Sequence, residues 1–122
     1  MPRVVHFELP ADDPQRAIRF YSDAFGWRIQ KWDGPMNYWL VSTGEEGMPG
    51  IDGAIYPRRP EWGAYVSMID VEDIDASIAA VEAAGGDMVS PKQVVPGIGW
   101  LAYFKDPEGN PFGMMQSDDS AR

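Results

Sequence analysis

The 122-residue chain contains no cysteine and a single histidine, His6. Without thiols there are no disulfides, thiolate nucleophiles or cysteine-bound metals. With one imidazole there is no histidine pair to anchor a metal or share a proton. Basic residues are few, 10 Lys and Arg against 19 Asp and Glu, for a net charge of −9. That sign repels phosphate backbones and anionic lipid, so nucleic acid and membrane are not expected as partners. No apolar run is long enough to span a bilayer, and the opening MPRVVHFELP lacks the apolar core of a secretory signal. Together with the absent cysteines, this predicts a cytoplasmic home. A 44% hydrophobic share beside 24% charged residues is ordinary for one soluble domain with its own core.

The chain also contains a weak internal repeat. Asp13, Ile18, Ala24, Gly26 and Gly53 recur sixty residues later as Asp73, Ile78, Ala84, Gly86 and Gly113. The matches fall at helix starts, helix faces, helix ends and a late strand, which suggests two related halves. Arg3–Leu9 reads as a strand that Pro10 ends. Asp12 or Asp13 caps a helix with Pro14 in its first turn, and Gly26 closes it. Strand candidates follow near Trp27–Trp32, Asn37–Thr43 and Ile51–Tyr56. The second half repeats the order: a strand over Ala64–Asp70, a helix capped by Asp73, then strands near Asp87–Val95, Ile98–Phe104 and Pro111–Gln116. The plan is α+β, two βαβββ modules in tandem. Module 1 covers about 1–56, a proline-bounded linker about 57–63, module 2 about 64–117, and residues 118–122 read as a disordered tail.

Three segments taken together resemble the vicinal oxygen chelate superfamily, which includes glyoxalase I, bleomycin-resistance proteins and extradiol dioxygenases. They are VVHFELPADDPQRAIRFYSDAFGW, VEDIDASIAAVEAAGG and GIGWLAYFKDPEGNPFGMMQ. The resemblance implies paired βαβββ modules whose curved sheets enclose a shared cleft. In catalytic members that cleft holds one divalent ion on side chains from the first and last strand of each module. The substrate chelates the ion through adjacent oxygens. Carried onto this chain, the four positions are His6, Gly53, Val66 and Gly113, and the sixty-residue offset maps His6 to Val66 and Gly53 to Gly113.

Only His6 among the four has a donor, so the expected metal content is none. Asp52, one residue from Gly53, is expected to face away unless a bulge turns it. Glu8 lies two residues from His6 and shares its face. Strand alternation sets the row Val5, Phe7 and Leu9 against the helices and leaves Val4, His6 and Glu8 on the cleft side. The same reasoning groups Ile51, Gly53 and Ile55, then Val66 with Met68, and Gly113 with Met115. The two glycines are expected to leave room for a ligand. Trp32, Tyr38, Trp39, Trp100, Tyr103 and Phe104 border the cleft and Trp62 lies in the linker, although Tyr38 and Trp39 cannot both point inward. The expected ligand-binding set is His6, Glu8, Trp39, Ile55, Met68, Trp100 and Met115.

Each of these residues has a plain structural explanation as well. Methionine and isoleucine at this spacing also make cores, and a lone histidine also serves as a hydrogen-bonded structural residue. The DPEGN segment is expected to be a turn, and Arg58-Arg59 solvated surface. Two functional readings stay open. One is a metal-free protein that binds or sequesters a small aromatic or cationic molecule, needing no cofactor. The other is a lyase or dioxygenase that uses His6 with a divalent metal. A small-molecule ligand is the expected partner, and a homodimer is the default for a small symmetric protein.

Overall fold

The computed structural model describes residues 2–59 and 63–122. The fold is α+β, with two helices on mixed parallel and antiparallel strands. Chain contacts divide it into two compact units, residues 6–65 and residues 66–122 with the first five residues of the chain.

In the first unit, strand β1 (Arg3–Ala11), of which residues 3–5 fall in the other unit, leads to helix α1 (Pro14–Phe25), then β2 (Arg28–Lys31), β3 (Trp39–Ser42) and β4 (Asp52–Pro57). The helix begins where sequence chemistry predicts. Asp13 is extended at φ −128° and its carboxylate accepts from the Arg16 amide at 3.2 Å. Gly26 ends the helix at φ 71°, in the left-handed region that a side chain resists. The strands lie in the order β2-β3-β4-β1, with β1 and β4 parallel and the others antiparallel. Pro10 does not end the first strand, which runs on to Ala11 with Pro10 opposite Tyr56. A proline lacks only the N–H, and its fixed φ is tolerated at a strand position that donates no ladder bond.

The core of this unit lies between α1 and one face of its sheet. Phe7, Ala11, Val41 and Ile55 are buried there, with Leu9, Ala17, Ile18, Tyr21, Trp27, Ile29 and Trp39 packed around them. Burying an aliphatic or aromatic side chain of this size is worth about 1.5–3 kcal/mol. Gly53 belongs to the same face, opposite Phe7. A Cβ there would lie 2.5 Å from the Phe7 ring, so the glycine makes room for that ring.

The second unit contains β5 (Val66–Asp70), helix α2 (Ile74–Ala83), β6 (Asp87–Met88), β7 (Gln93–Val95), β8 (Gly99–Lys105) and β9 (Pro111–Ser117). Asp73 caps α2 by accepting from the Ala76 amide at 3.1 Å. The single strand expected near Asp87–Val95 is two short ones, each paired to β8, because the chain bends at Val89 and Ser90, where the Ser90 hydroxyl rather than a backbone carbonyl accepts from the Tyr103 amide. β5 is parallel to β9, and β9 antiparallel to β8. Val71, Ile74, Ala102, Phe104 and Met114 form the core under α2.

Residues 118–122, expected to be disordered, are held. The Trp100 indole donates to Asp118 at 3.0 Å, the Gly97 amide donates to the Ala121 carbonyl at 2.9 Å, and Ala121 is buried. Of the expected linker, Pro57 completes β4, and Arg58 pairs with Asp12 at 3.0 Å. Pro60, Glu61 and Trp62 lie outside the described residues. The DPEGN segment is the expected turn. The Asp106 carboxylate accepts from the Glu108 and Asn110 amides, both at 2.9 Å, and Gly109 takes φ 84°. The Asn110 side chain, followed by these backbone donors, holds the Asp106 carboxyl below its usual range.

Candidate functional site

The register of β1 on β4 decides which side chains share a face. His6 lies opposite Asp52, Phe7 opposite Gly53, Glu8 opposite Ala54 and Leu9 opposite Ile55. Paired residues in a ladder point to the same side. The face turned away from α1 therefore presents His6 and Glu8 from β1, with Asp52, Ala54 and Tyr56 from β4. On β3, Leu40 lies opposite Ala54, while Trp39 and Val41 lie opposite Ile55 and Gly53 on the helix side.

This corrects three expectations. Ile55 is completely buried under α1 and does not share the His6 face. Trp39 packs into the same core. Asp52 does share the His6 face, and no bulge is needed to bring it there. The sixty-residue offset misplaced Gly53, and with it Ile55 and Asp52, because the two halves differ by one residue in register. Phe7 pairs with Gly53, but Met68, rather than Ser67, pairs with Gly113. By register the counterpart of Gly113 is Ala54.

In the second unit, Val66, Met68, Gly113 and Met115 do share a face, with Met68 opposite Gly113 and Met115 opposite Asp70. The space beside Gly113 is already filled, since a Cβ there would strike the Met68 sulfur. Trp100 departs from the expectation. It lies opposite Gln116, two residues from Ala102, on the side that packs against α2, and Lys92 Nζ sits 4.8 Å from its ring. Phe104 is on that same side, whereas Leu101 and Tyr103 pair with Met115 and Gly113.

One polar group in the first unit links His6 and Glu8 through Tyr38. The Tyr38 hydroxyl donates to Glu8 Oε2 at 2.6 Å, and His6 Nε2 lies 3.2 Å from the same hydroxyl. A phenol has one proton, and here it points to the carboxylate. The oxygen then accepts from His6, which assigns the imidazole hydrogen to Nε2 and the lone pair to Nδ1. Glu8 is only 4% exposed. A buried carboxylate needs such donors, since leaving one without them costs several kcal/mol. Burial lowers the His6 pKa below the ordinary 6.5, with Glu8 and Asp52 pulling the other way. Desolvation wins, so the imidazole is neutral at pH 7.

Two more side chains complete the surroundings. Tyr56 is buried and donates to the Ala64 carbonyl at 3.1 Å. Burial, then the Glu8 charge, pushes its pKa up to about 12. Trp32 stands edge-on to Tyr38, ring centroids 6.1 Å apart, and its amide donates to the Tyr38 carbonyl at 2.8 Å. Beside Asp52 lies a groove of about 570 Å³, lined by Arg28, Ser42, Thr43, Asp52 and the loop over residues 44–50. That volume is in the range of small-molecule sites.

Tyr38 and Asp52 are the residues that sequence reasoning undervalued. Val41 is the buried residue of β3, and Trp39, two residues before it, shares its side, which leaves Tyr38 on the other.

A family model of the Glyoxalase/Bleomycin resistance protein/Dioxygenase superfamily matches residues 3–114. The chain belongs to this superfamily. A glyoxylase-like domain-containing protein of Didymella fabae is 34% identical over 113 residues, 84% of each chain. A lactoylglutathione lyase of Haemophilus influenzae is 31% identical over 119 residues, covering 88% of this chain and 87% of that protein. Two mycobacterial relatives at 29% identity are longer, and this chain spans 42% of each. Among solved structures, methylmalonyl-CoA epimerase in complex with methylmalonyl-CoA and ammonium superposes with a TM-score of 0.70. The match covers 99% of this chain and 98% of that one at 13% identity, a likeness of fold.

The divalent ion that superfamily resemblance implies has a poor donor set here. Of the four mapped positions, His6 alone carries a donor, and Ala54, the register counterpart of Gly113, adds none. Glu8 is bonded to Tyr38, and the Asp52 carboxylate accepts from the Thr43 amide at 2.9 Å. Among the described residues, no three His, Asp or Glu side chains are grouped to hold a metal. The residues do not fit the ion.

Proposed function

We propose that this superfamily member binds a small aromatic or cationic molecule without a metal, on the face of residues 6–65 turned away from α1. The observation that supports it is the Glu8–Tyr38–His6 chain. Two side chains that would otherwise serve as metal donors are joined through a phenol, and they form a polar end beside an aromatic wall of Trp32 and Tyr38. Asp52 and Glu8 add negative charge, which suits a cationic group, and the aromatic rings suit a flat one. We read the chain, further, as two tandem βαβββ modules. The Asp13 and Asp73 caps and the parallel pairing of first with last strand in each half support that reading.

A second reading has its own observation. His6 is neutral with its lone pair on Nδ1, the form that a metal or a substrate proton requires. Under that reading the protein is a lyase or dioxygenase centred on His6. One experiment separates the two. Protein purified without chelator is analysed for metal and then titrated with Zn²⁺, Ni²⁺ and Mn²⁺, beside His6→Ala. The binding reading expects no stoichiometric metal, and thermal stabilisation by cationic aromatic compounds that weakens in His6→Ala. One equivalent of divalent ion that disappears in His6→Ala overturns it.

A further inference from the structure

Gly34 has no backbone reason to be glycine. It precedes Pro35, which holds the residue before it in the extended region, and its φ is not positive. Any L-residue adopts that backbone without strain. The constraint comes from the side chain of Trp32. A Cβ on Gly34 would strike the six-membered ring of the indole at Cη2, Cζ2 and Cε2. The ring rests against the Gly34 backbone, in the space a side chain would take.

The ladder shows what this leaves open. The Trp32 amide donates to the Tyr38 carbonyl at 2.8 Å, so the pairing of β2 with β3 runs one step past Lys31 and Trp39. Trp32 therefore stands opposite Tyr38 on the His6 face, and the two rings meet edge-on. Leu40, two residues after Tyr38, shares that face and pairs with Gln30. It is 38% exposed, an apolar side chain in front of which nothing closes. Leu40 and Trp32 are diagonal neighbours in the ladder, about 7–8 Å apart and within reach of an indole. Drawn back onto Gly34, the indole stops short of Leu40.

We infer that Gly34 is a positioning residue: by drawing the Trp32 indole back, it keeps a seat over Leu40 open for a flat ring and so selects flat guests over puckered ones. This placement rests on the binding function proposed above and names the part of that face that takes the ring. The chain has three leucines, Leu9, Leu40 and Leu101, so labelled leucine methyls report on the seat directly. Two probes of equal charge and carbon count, 2-naphthylmethylammonium and its saturated decalin analogue, are titrated into the full chain. In the wild type the naphthyl probe is expected to move the Leu40 methyls upfield and to bind about fivefold tighter than the decalin probe, the worth of one aromatic contact. Gly34→Ala is expected to move the same methyls upfield with no probe present, because the displaced indole covers them. It is also expected to weaken the naphthyl probe about tenfold and to erase the preference. In a Trp32→Ala background, Gly34→Ala is expected to change neither readout, since it acts through the indole. A glycine needed only for folding would act in both backgrounds. Residues 33–36 lie outside the helices and strands, and unchanged circular dichroism confirms that the variants fold. A wild type that binds neither probe overturns the binding function and this role of Gly34 together. A wild type that binds them, with Leu40 methyls unmoved by Gly34→Ala or an equal effect without Trp32, overturns the role of Gly34 alone.

Discussion

Replacing Tyr38 by phenylalanine removes one oxygen and tests the centre of the site. That oxygen donates to Glu8 at 2.6 Å and accepts from His6 at 3.2 Å. The first bond is charge-assisted and serves a carboxylate only 4% exposed, which sets its worth at about 1.5–3 kcal/mol. The longer second bond adds about 0.5–1 kcal/mol. The ring keeps its edge-on contact with Trp32, so packing is unchanged. Tyr38→Phe is therefore expected to lose about 2–4 kcal/mol in urea unfolding at pH 8, with an unaltered slope. The same variant should shift the one histidine signal in an NMR titration. A hydrogen bond from Nε2 is stronger in the imidazolium than in the neutral ring, so its loss moves the His6 pKa further down. A loss below about 0.5 kcal/mol with an unmoved titration would refute the assigned bond chain.

Wild-type stability carries a pH signature of its own. His6 is held below 6.5 in the fold by burial, so its neutral form is the one that folding favours. The associated stability is complete above pH 6.5 and falls as pH drops from 6.5 towards the folded value. Urea midpoints of wild type and His6→Gln should separate in that window; parallel curves there would count against it. Gly53→Ala drives a Cβ into the Phe7 ring, and overpacking of this kind costs about 1–3 kcal/mol by chemical denaturation. An unchanged midpoint would contradict the register. Asp13→Ala and Asp73→Ala each remove a helix cap and should cost about 1 kcal/mol apiece, measured singly and together. Because the caps serve different helices, their effects should add.

Most of the fold was legible because its signals are local. Asp13, Pro14 and Gly26 bracket α1 by chemistry acting within one turn, and Asp73 does the same for α2. The faces of the strands were harder. Whether Gly53 points to the helix or away depends on which residue of β1 stands opposite, and that is a contact 46 residues distant in sequence. The sixty-residue repeat offered a way to count, but a one-residue difference between the halves inverted Gly53 and Ile55. His6 and Glu8 were placed on the right face because Phe7 between them is so plainly apolar. Tyr38 was weighed against Trp39 and lost, since bulk suggested a ligand wall where the strand needed bulk for its core. The held tail was illegible because Ala121 is anchored through backbone and small side chains, which leave no hydrophobic pattern.

The strand order β2-β3-β4-β1 has one more consequence. His6 and Asp52 stand side by side, Ser42 follows on β3 beyond Asp52, and Arg28 lies opposite Ser42 on β2. Three strand spacings separate the imidazole from the guanidinium strand, about 14–15 Å. The row is a ruler with a neutral nitrogen at one end and a fixed positive charge at the other. Under the binding function proposed above, a guest of two linked rings is expected to reach from end to end, and a single ring to touch only one.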